Sequence, residues 1–578
     1  MSDILAEPKL NWSIIRKFVS LSVLYFKGDK KKQAWSLFII LIVFLCLVAG
    51  VNTFKTYISK WAINALESKN KNDFYQVIML AIVFLGMSVP VTALRDYYKN
   101  KFALFWRKWF NLLVLQRWLQ NKVYYNMTLY SKMDNVDQRI AQDLTNFTQE
   151  TTRIFSIILT SIISIIAYIA VLYSISPWLV LTVFLYATFG TVLIVWLSRK
   201  LVQINFRNIR FQADYRYNLV HVRDNVECIA LYQGETHEGS VLRNIFASLV
   251  NNYINLIVLQ RNISFVSYAY NLFSALFPMI ILAPSVLSGK MQVGTLMQGV
   301  VVFPILLTSL SVVITEFQSL STLAAVVQRL DGFVEALGVT SPESTKITIS
   351  TETDAFKFKN VTVVTPDLRK TLVVDLNLEV PLHKGLMIVG PSGCGKSSLL
   401  RAIAGLWDNG SGKVTRPSIE KMMFLPQKPY MLLGSLREQL IYPHLDSDIS
   451  NEKLEVELQE VGLQDLIERV GGLDAVMKWS DLLSLGEQQR ILFLRLFLTD
   501  PQFAVLDEAS SALDEPNEAL VYHRLQESGV TYISVGHRSS IIKFHQYILR
   551  LTLDHKWELY TQSAYQAYLA DIATKDSH

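Results

Sequence analysis

The chain is poor in charge. Asp, Glu, Lys and Arg make up 18% of its 578 residues, against about 25% in soluble domains. Apolar residues reach 51%, and the mean hydropathy is positive. That deficit excludes a wholly water-facing molecule and points to lipid. Cysteine is scarce as well: Cys46, Cys228 and Cys394, no two at metal-binding or disulfide spacing. A disulfide scaffold is thereby excluded, and a reducing environment is expected around the soluble part. The start, Met1-Ser-Asp-Ile-Leu-Ala-Glu7, has neither the apolar run of a secretory signal nor the Arg-rich character of a transit peptide. A net charge of +6 is small for this length. It argues against a nucleic-acid partner and is better explained by positive residues flanking membrane spans.

What is present begins with an amphipathic, basic segment over residues 1–33. Lys9, Arg16, Lys17, Lys27 and Lys30 to Lys32 surround Ile14, Ile15, Phe18, Leu21 and Phe26, as expected of a helix lying at a membrane surface. Ala34 to Phe54 is then free of charge for 21 residues, enough at about 1.5 Å each to cross one bilayer core. Similar runs follow at about 74–94, 154–174, 178–198, 264–286 and 295–315, so residues 34–337 read as a six-span unit. The connections at about 95–153 and 199–263 are rich in Arg and Lys, whereas Ser174–Pro177 and Ser288–Gly294 are short or charge-poor. The positive-inside rule places both long loops, the N-terminus and the C-terminal half in the cytoplasm. The long loops have a helical pattern, with turns at Asp134–Asp143 and Tyr232–Glu238. Glu316, at the end of the sixth span, is the nearest ionisable residue to the lipid core and is expected to be solvated.

Residues 338–354 are rich in Ser, Thr and Glu and read as a linker. From 355 to 578 strands and helices alternate, as in an α/β nucleotide-binding domain. Its centre is Gly390-Pro391-Ser392-Gly393-Cys394-Gly395-Lys396-Ser397-Ser398, which fits G-x-x-x-x-G-K-[ST] between an apolar strand and a helix. Glycines let the backbone wrap a phosphate, and N–H groups at the helix start face the anion. Lys396 suits the β and γ phosphates, and Ser397 suits Mg²⁺. Downstream, Gln427 follows a strand with an amide suited to Mg²⁺ or water. Ser484 and Gly486 open another helix, in Leu483-Ser-Leu-Gly-Glu-Gln-Gln-Arg490. Asp507 and Glu508 end an apolar strand, suited to Mg²⁺ and to activating a water. Asp514 follows shortly after, and His537 closes a further strand, within reach of a γ-phosphate.

This ordered set resembles the ATP-binding cassette (ABC) transporters over nearly the whole chain. The resemblance implies an exporter-type membrane α-helical fold of six transmembrane helices fused to an α/β P-loop cassette. It implies Gly390–Ser398 as Walker A, Gln427 as the Q-loop glutamine and Leu483–Arg490 as the signature. Asp507 becomes the Walker B aspartate, Glu508 the catalytic glutamate, Asp514 the D-loop aspartate and His537 the switch histidine. Leu485 and Glu487 stand where many cassettes read Gly and Gln. That variant is similar to the group joining the peroxisomal fatty-acyl (ABCD-type) transporters with bacterial SbmA/BacA-like and YddA-like proteins. Trp106–Trp109, Tyr124-Tyr125, Asp134–Arg139, Glu227–Glu235 and Gly434–Leu440 agree with it, with Val136 replacing the usual Pro. Val363–Leu368 offers no aromatic for adenine. The implied protein is a half-transporter using ATP and Mg²⁺. It pairs with a second copy, because ATP is held between Walker A of one cassette and the signature of the other. The expected role is uptake of hydrophilic solutes such as peptides or cobalamin across a bacterial cytoplasmic membrane. Transport of fatty-acyl-CoA and a non-transporting regulatory ATPase are the rivals. The turns near Asp134–Asp143 and Gly234–Glu238 are expected to carry motion from the cassette to the spans.

Overall fold

The computed structural model describes residues 12–131, 133, 135–338, 346–352 and 355–575. Most of the expected linker, the first eleven residues of the basic N-terminal segment and Asp134 lie outside the described residues. The chain divides into two units, one holding residues 133–338 and those before 122, the other the C-terminal half together with residues 122–131.

The first unit is helical. Among the described residues, six helical stretches are long and apolar enough to cross a membrane, matching the six expected spans. A surface helix, Trp12–Lys27, leads into the first of them, Lys31–Glu67. One face of this surface helix packs on the protein, while Trp12, Ile15 and Val19 stay exposed. Tyr25 is buried and stacks on Trp106 with centroids 5.7 Å apart, and Lys17 pairs with Asp331 at 2.8 Å. The second span runs on as Lys71–Leu119, and the fourth and fifth as Pro177–Asp224 and Glu235–Ser274. These lengths far exceed a bilayer core, so the long loops are helix continuations. The fifth span breaks at Ala275 and resumes as Leu276–Leu287. Pro278 explains the break: it cannot donate to the carbonyl four residues earlier.

With no water in the lipid core, close packing and hydrogen bonds hold such helices together. Tyr186 and Tyr270 stack at 4.3 Å, and each hydroxyl donates to the other's backbone carbonyl, at 2.7 and 2.9 Å. Gly190 is required there, since a Cβ would sit 2.2 Å from the Tyr270 ring. At the far end of the first span, Asn64 and Glu67 accept from the N–H groups of Gly294 and Val293, at 2.9 Å each. They cap the start of the last span, Val293–Leu310. Glu316 is not simply solvated: it pairs with Arg153 at 2.8 Å, which also bonds Glu150.

The second unit is built on two sheets. One orders its strands β1 (Thr348–Thr351), β5 (Gly410–Arg416), β2 (Phe356–Val364) and β3 (Thr371–Val380). The other runs β10 (Trp557–Thr561), β9 (Tyr547–Leu551), β4 (Gly385–Val389), β8 (Thr531–Val535), β7 (Phe503–Asp507) and β6 (Met422–Leu425). Apart from antiparallel β10, this sheet is parallel. β4, β8 and most of β7 are buried, as their unbroken apolar runs require. Their carboxyl ends lie side by side, so the loops following β4, β6, β7 and β8 share one edge.

Candidate functional site

Residues following β4 make the first part of that edge. Gly390, Gly393 and Gly395 have φ of +149°, +80° and +106°, values that exclude side chains from the turn. A Cβ at Gly390 would lie 2.4 Å from the Leu551 carbonyl oxygen. Pro391, Ser392 and Gly393 are exposed, while Cys394 is buried beneath the loop. Helix Lys396–Ile403 starts directly after Gly395, and no side chain caps it. Its first N–H groups are therefore left for a ligand. Lys396 is 6% exposed, and its ammonium donates to the carbonyls of Gly390 (2.8 Å) and Pro391 (3.0 Å). Ser398 is half-buried one turn on.

Ser397 Oγ donates to Asp507 Oδ1 at 3.0 Å. Burial pushes the Asp507 carboxyl up, while the Ser397 hydroxyl and nearby Arg401 and Lys396 pull it down. A hydroxyl and a carboxylate side by side are hard oxygen donors and fit Mg²⁺. Among the described residues no group of three or more His, Cys, Asp or Glu could hold a metal, so a cation here would complete its shell with phosphate and water.

Two further side chains converge on one carboxylate, that of Glu508. Glu508 has φ +50°, and its N–H bonds the Val535 carbonyl at 3.1 Å, so the backbone after β7 is tied to β8. Gln427 Nε2 donates to Glu508 Oε2 at 2.7 Å, and His537 Nε2 lies 3.3 Å from Glu508 Oε1. Residues distant in sequence thus meet because β6, β7 and β8 are neighbours.

Ser484, Gly486 and Asp514 are placed otherwise. Ser484 is the N-cap of helix Leu485–Thr499, in a capping box with Glu487: Ser484 N–H to Glu487 Oε2 at 2.8 Å and Glu487 N–H to Ser484 Oγ at 3.2 Å. Burial alone would raise the Glu487 carboxyl, but the Ser484 backbone and Arg469, at 2.7 Å, hold it below the usual range. Asp514 caps helix Glu515–Glu527 through the Asn517 N–H at 3.3 Å. Among the described residues no hydrogen bond or ion pair joins any of these three to the phosphate loop.

Sequence reasoning passed over the residues that brace this edge. Gln489, buried, accepts from Ala512 N–H at 2.9 Å and donates to Ser511 Oγ at 3.2 Å. Arg538 donates to the Ser511 carbonyl at 2.8 Å. Arg495, 2% exposed, donates to the carbonyls of Gln439 and Tyr430, and burial pushes its guanidinium down to about 10. Gln489 stands inside the signature and Arg538 next to His537, but Arg495 sits in an apolar run with no motif around it.

Asn135 has φ +52° and opens a short turn, and buried Asp143 is clamped by Arg329 at 2.7 and 2.8 Å. That clamp lies wholly within the helical unit. Residues 122–131 belong to the unit of the cassette and pack on it. Tyr125 OH accepts from Trp407 Nε1 at 3.1 Å, Tyr130 OH donates to Asn409 Oδ1 at 3.1 Å, and Tyr125 and Leu129 pack on the cassette core.

A multi-span helical unit joined to an α/β unit with a phosphate loop, a strand-end carboxylate pair and a strand-end histidine is the architecture of an ATP-binding cassette membrane protein. Comparison with known proteins gives the family. Residues 21–287 match the model for ABC transporter transmembrane region 2, and residues 373–511 match the ABC transporter model. An uncharacterised ABC transporter ATP-binding protein of Synechocystis is 40% identical over 92% of this chain and 82% of its own length. ABC transporter D family member 2, chloroplastic, of Arabidopsis thaliana is 33% identical over 95% and 87%. The lysosomal cobalamin transporter ABCD4 of Homo sapiens is 28% identical over 96% and 97%. The chain belongs to the ABC transporter family, among the D-type half-transporters. It is a multi-pass membrane protein with an exporter-type fold, and its cassette binds and hydrolyses ATP.

Proposed function

We propose that two copies of this chain use Mg-ATP to carry a hydrophilic solute, such as cobalamin or a peptide, inward across a bacterial cytoplasmic membrane, with the cassettes in the cytoplasm. The observation carrying the dimer is the split site. Lys396, Ser397, Asp507, Gln427, Glu508 and His537 gather on one edge, while among the described residues Ser484, Gly486 and Asp514 make no bond to the phosphate loop. ATP held between Lys396 of one copy and Ser484 of the other completes both sites at once. The Arg- and Lys-rich long loops support the orientation. The name of the human relative supports cobalamin as a cargo to try first.

In this reading Lys396 exchanges its two carbonyl partners for β- and γ-phosphate oxygens. Ser397 and Asp507 hold Mg²⁺, which when bound offsets charge on the transferred phosphoryl group. Glu508 takes the proton of the attacking water, oriented by Gln427, and His537 steadies the γ-phosphate. Uptake of labelled cobalamin, a peptide and acyl-CoA into right-side-out and inside-out vesicles tests the proposal, with Glu508→Gln as the control. ATP-dependent cobalamin or peptide accumulation in one orientation, lost in Glu508→Gln, is expected. Movement of acyl-CoA alone overturns the cargo assignment, and ATP turnover without movement of any of the three overturns transport of these cargos.

A further inference from the structure

The turn between the surface helix and the first span borders a cavity of about 380 Å³ in the helical unit. One wall comes from Asp29, Lys30 and Gln33, the other from one face of helix Lys71–Leu119, where lining residues recur at helical spacing from Phe105 to Gln116. The two walls are locked together. Trp109 Nε1 donates to Asp29 Oδ1 at 2.6 Å, and Gly28 passes so close to the indole that a Cβ would lie 2.6 Å from Cζ2.

The lining divides by chemistry. Phe105, Leu112 and Leu113 are apolar, and Leu112 is 58% exposed. Lys30, Lys108, Gln33 and Gln116 offer N–H donors. Neither lysine has an ion-pair partner among the described residues, and Lys31 and Lys32 add positive charge beside them. The one carboxylate of the lining, Asp29, already accepts from the indole. The cavity also sits at a fixed depth: the charge-free run of the first span starts at Ala34, and its exposed apolar side chains start with Trp35. A tryptophan and unpaired lysines at the edge of a charge-free run are the groups that meet lipid headgroups.

We propose that this cavity is a binding site for an anionic phospholipid of the adjoining leaflet. Lys30 and Lys108 hold the phosphate, Gln33 and Gln116 meet the glycerol and ester oxygens, and an acyl chain lies along Phe105 and Leu112. A zwitterionic choline lipid would bring a cation beside two lysines, with the only carboxylate already engaged, so the site discriminates by charge. Occupancy ties the surface helix to the second span.

The test is native mass spectrometry of the full chain released from membranes of equal phosphatidylglycerol and phosphatidylcholine content. Preferential retention of phosphatidylglycerol is expected, falling roughly tenfold or more towards parity in Lys30→Gln/Lys108→Gln. Lys30→Arg/Lys108→Arg keeps the charge and should keep the preference. Parity in the unaltered chain, an unchanged preference in the Gln pair, or loss in the Arg pair overturns the proposal. So does displacement of the lipid by millimolar glycerol 3-phosphate, which would make the site one for soluble anions.

Discussion

Two helix starts in the cassette look alike in sequence and differ in space. Both follow a Gly- or Ser-bearing turn and open a helix pointing at an anion site. The start at Lys396 has no side-chain cap, and its glycines leave the backbone bare. The start at Ser484 is closed by its own capping box, with the Glu487 N–H taken by Ser484 Oγ. In the proposed reading the first is the phosphate seat. The second is a pre-formed cap whose remaining groups are the Ser484 hydroxyl and the N–H groups of Leu485 and Gly486; in the proposed dimer these face the nucleotide of the other copy. Glu487, where many cassettes carry Gln, makes that cap stronger and ties it to Arg469.

The sharpest way to break this comparison is at Glu508. Glu508→Gln keeps the hydrogen-bonding shape but removes the base. ATP turnover should fall by about 10²–10⁴-fold, while ATP binding persists and a closed dimer accumulates in a size or cross-linking assay. Turnover near that of the unaltered chain would remove Glu508 from the phosphate half-site. Mixed dimers sharpen the division further. Lys396→Ala and Ser484→Arg chains, each inactive alone, should recover one working site when co-assembled, with turnover up to about half that of the unaltered dimer at the mixed interface. No recovery would mean that the two helix starts do not serve one nucleotide across two chains.

The phosphate half-site rests on β8, and a buried titratable group packs against that strand. His545 is fully buried, accepts or donates at Ser534 Oγ, and bonds the Ile541 carbonyl at 2.8 Å; burial pushes it down to about 4. Unfolded, its value is about 6.5. Between those values the unfolded chain binds the extra proton, so cassette stability is full above pH 6.5 and is lost as pH falls towards 4. The loss is on the order of 3 kcal/mol. Thermal melting of the cassette transition from pH 7.5 to 4.5 should show that slope, and His545→Gln should flatten it; an equal slope in the variant would place the effect elsewhere. At the other helix start a smaller change is expected. Glu487→Ala removes one half of the capping box and should cost about 1 kcal/mol, seen as a lower melting temperature with nucleotide affinity of the single chain unchanged.

How much of this is legible in sequence depends on whether a residue acts through a motif or through packing. Gln427, Glu508 and His537 lie 81 and 29 residues apart, yet each is marked by an apolar strand ending in a polar group. Parallel pairing of β6, β7 and β8 then brings them together. The six spans are legible because lipid demands long charge-free runs. Gln489 and Arg495 are not, because a buried polar side chain serving nearby backbone groups leaves no periodic trace. The capping role of Glu487 was open to reading from Ser-Leu-Gly-Glu, a capping-box spacing hidden under the signature.

Residues 122–131 are the clearest case of a role that sequence alone did not expose. Tyr124 and Tyr125 mark the subfamily, but nothing in a solvated helical loop says which of its turns meets the cassette. The backbone shows why it is this one: Asn121 and Lys122 have φ of +51° and +57°, which ends the long second helix and turns the chain before Val123–Asn126. Tyr125 then brings its hydroxyl to the indole of nearly buried Trp407, four residues beyond the helix that begins with Lys396. Tyr125→Phe removes that bond and leaves the ring packed on the core, a change of about 1 kcal/mol. ATP turnover should stay within about twofold of the unaltered chain, because no group of the phosphate half-site is touched. Solute moved per ATP hydrolysed should drop by about fivefold, the factor that such an energy represents when a docked and an undocked state compete. An unchanged ratio would mean that Tyr125 packs on the cassette without transmitting its cycle, and turnover falling with transport would mean that the contact shapes the ATP site itself.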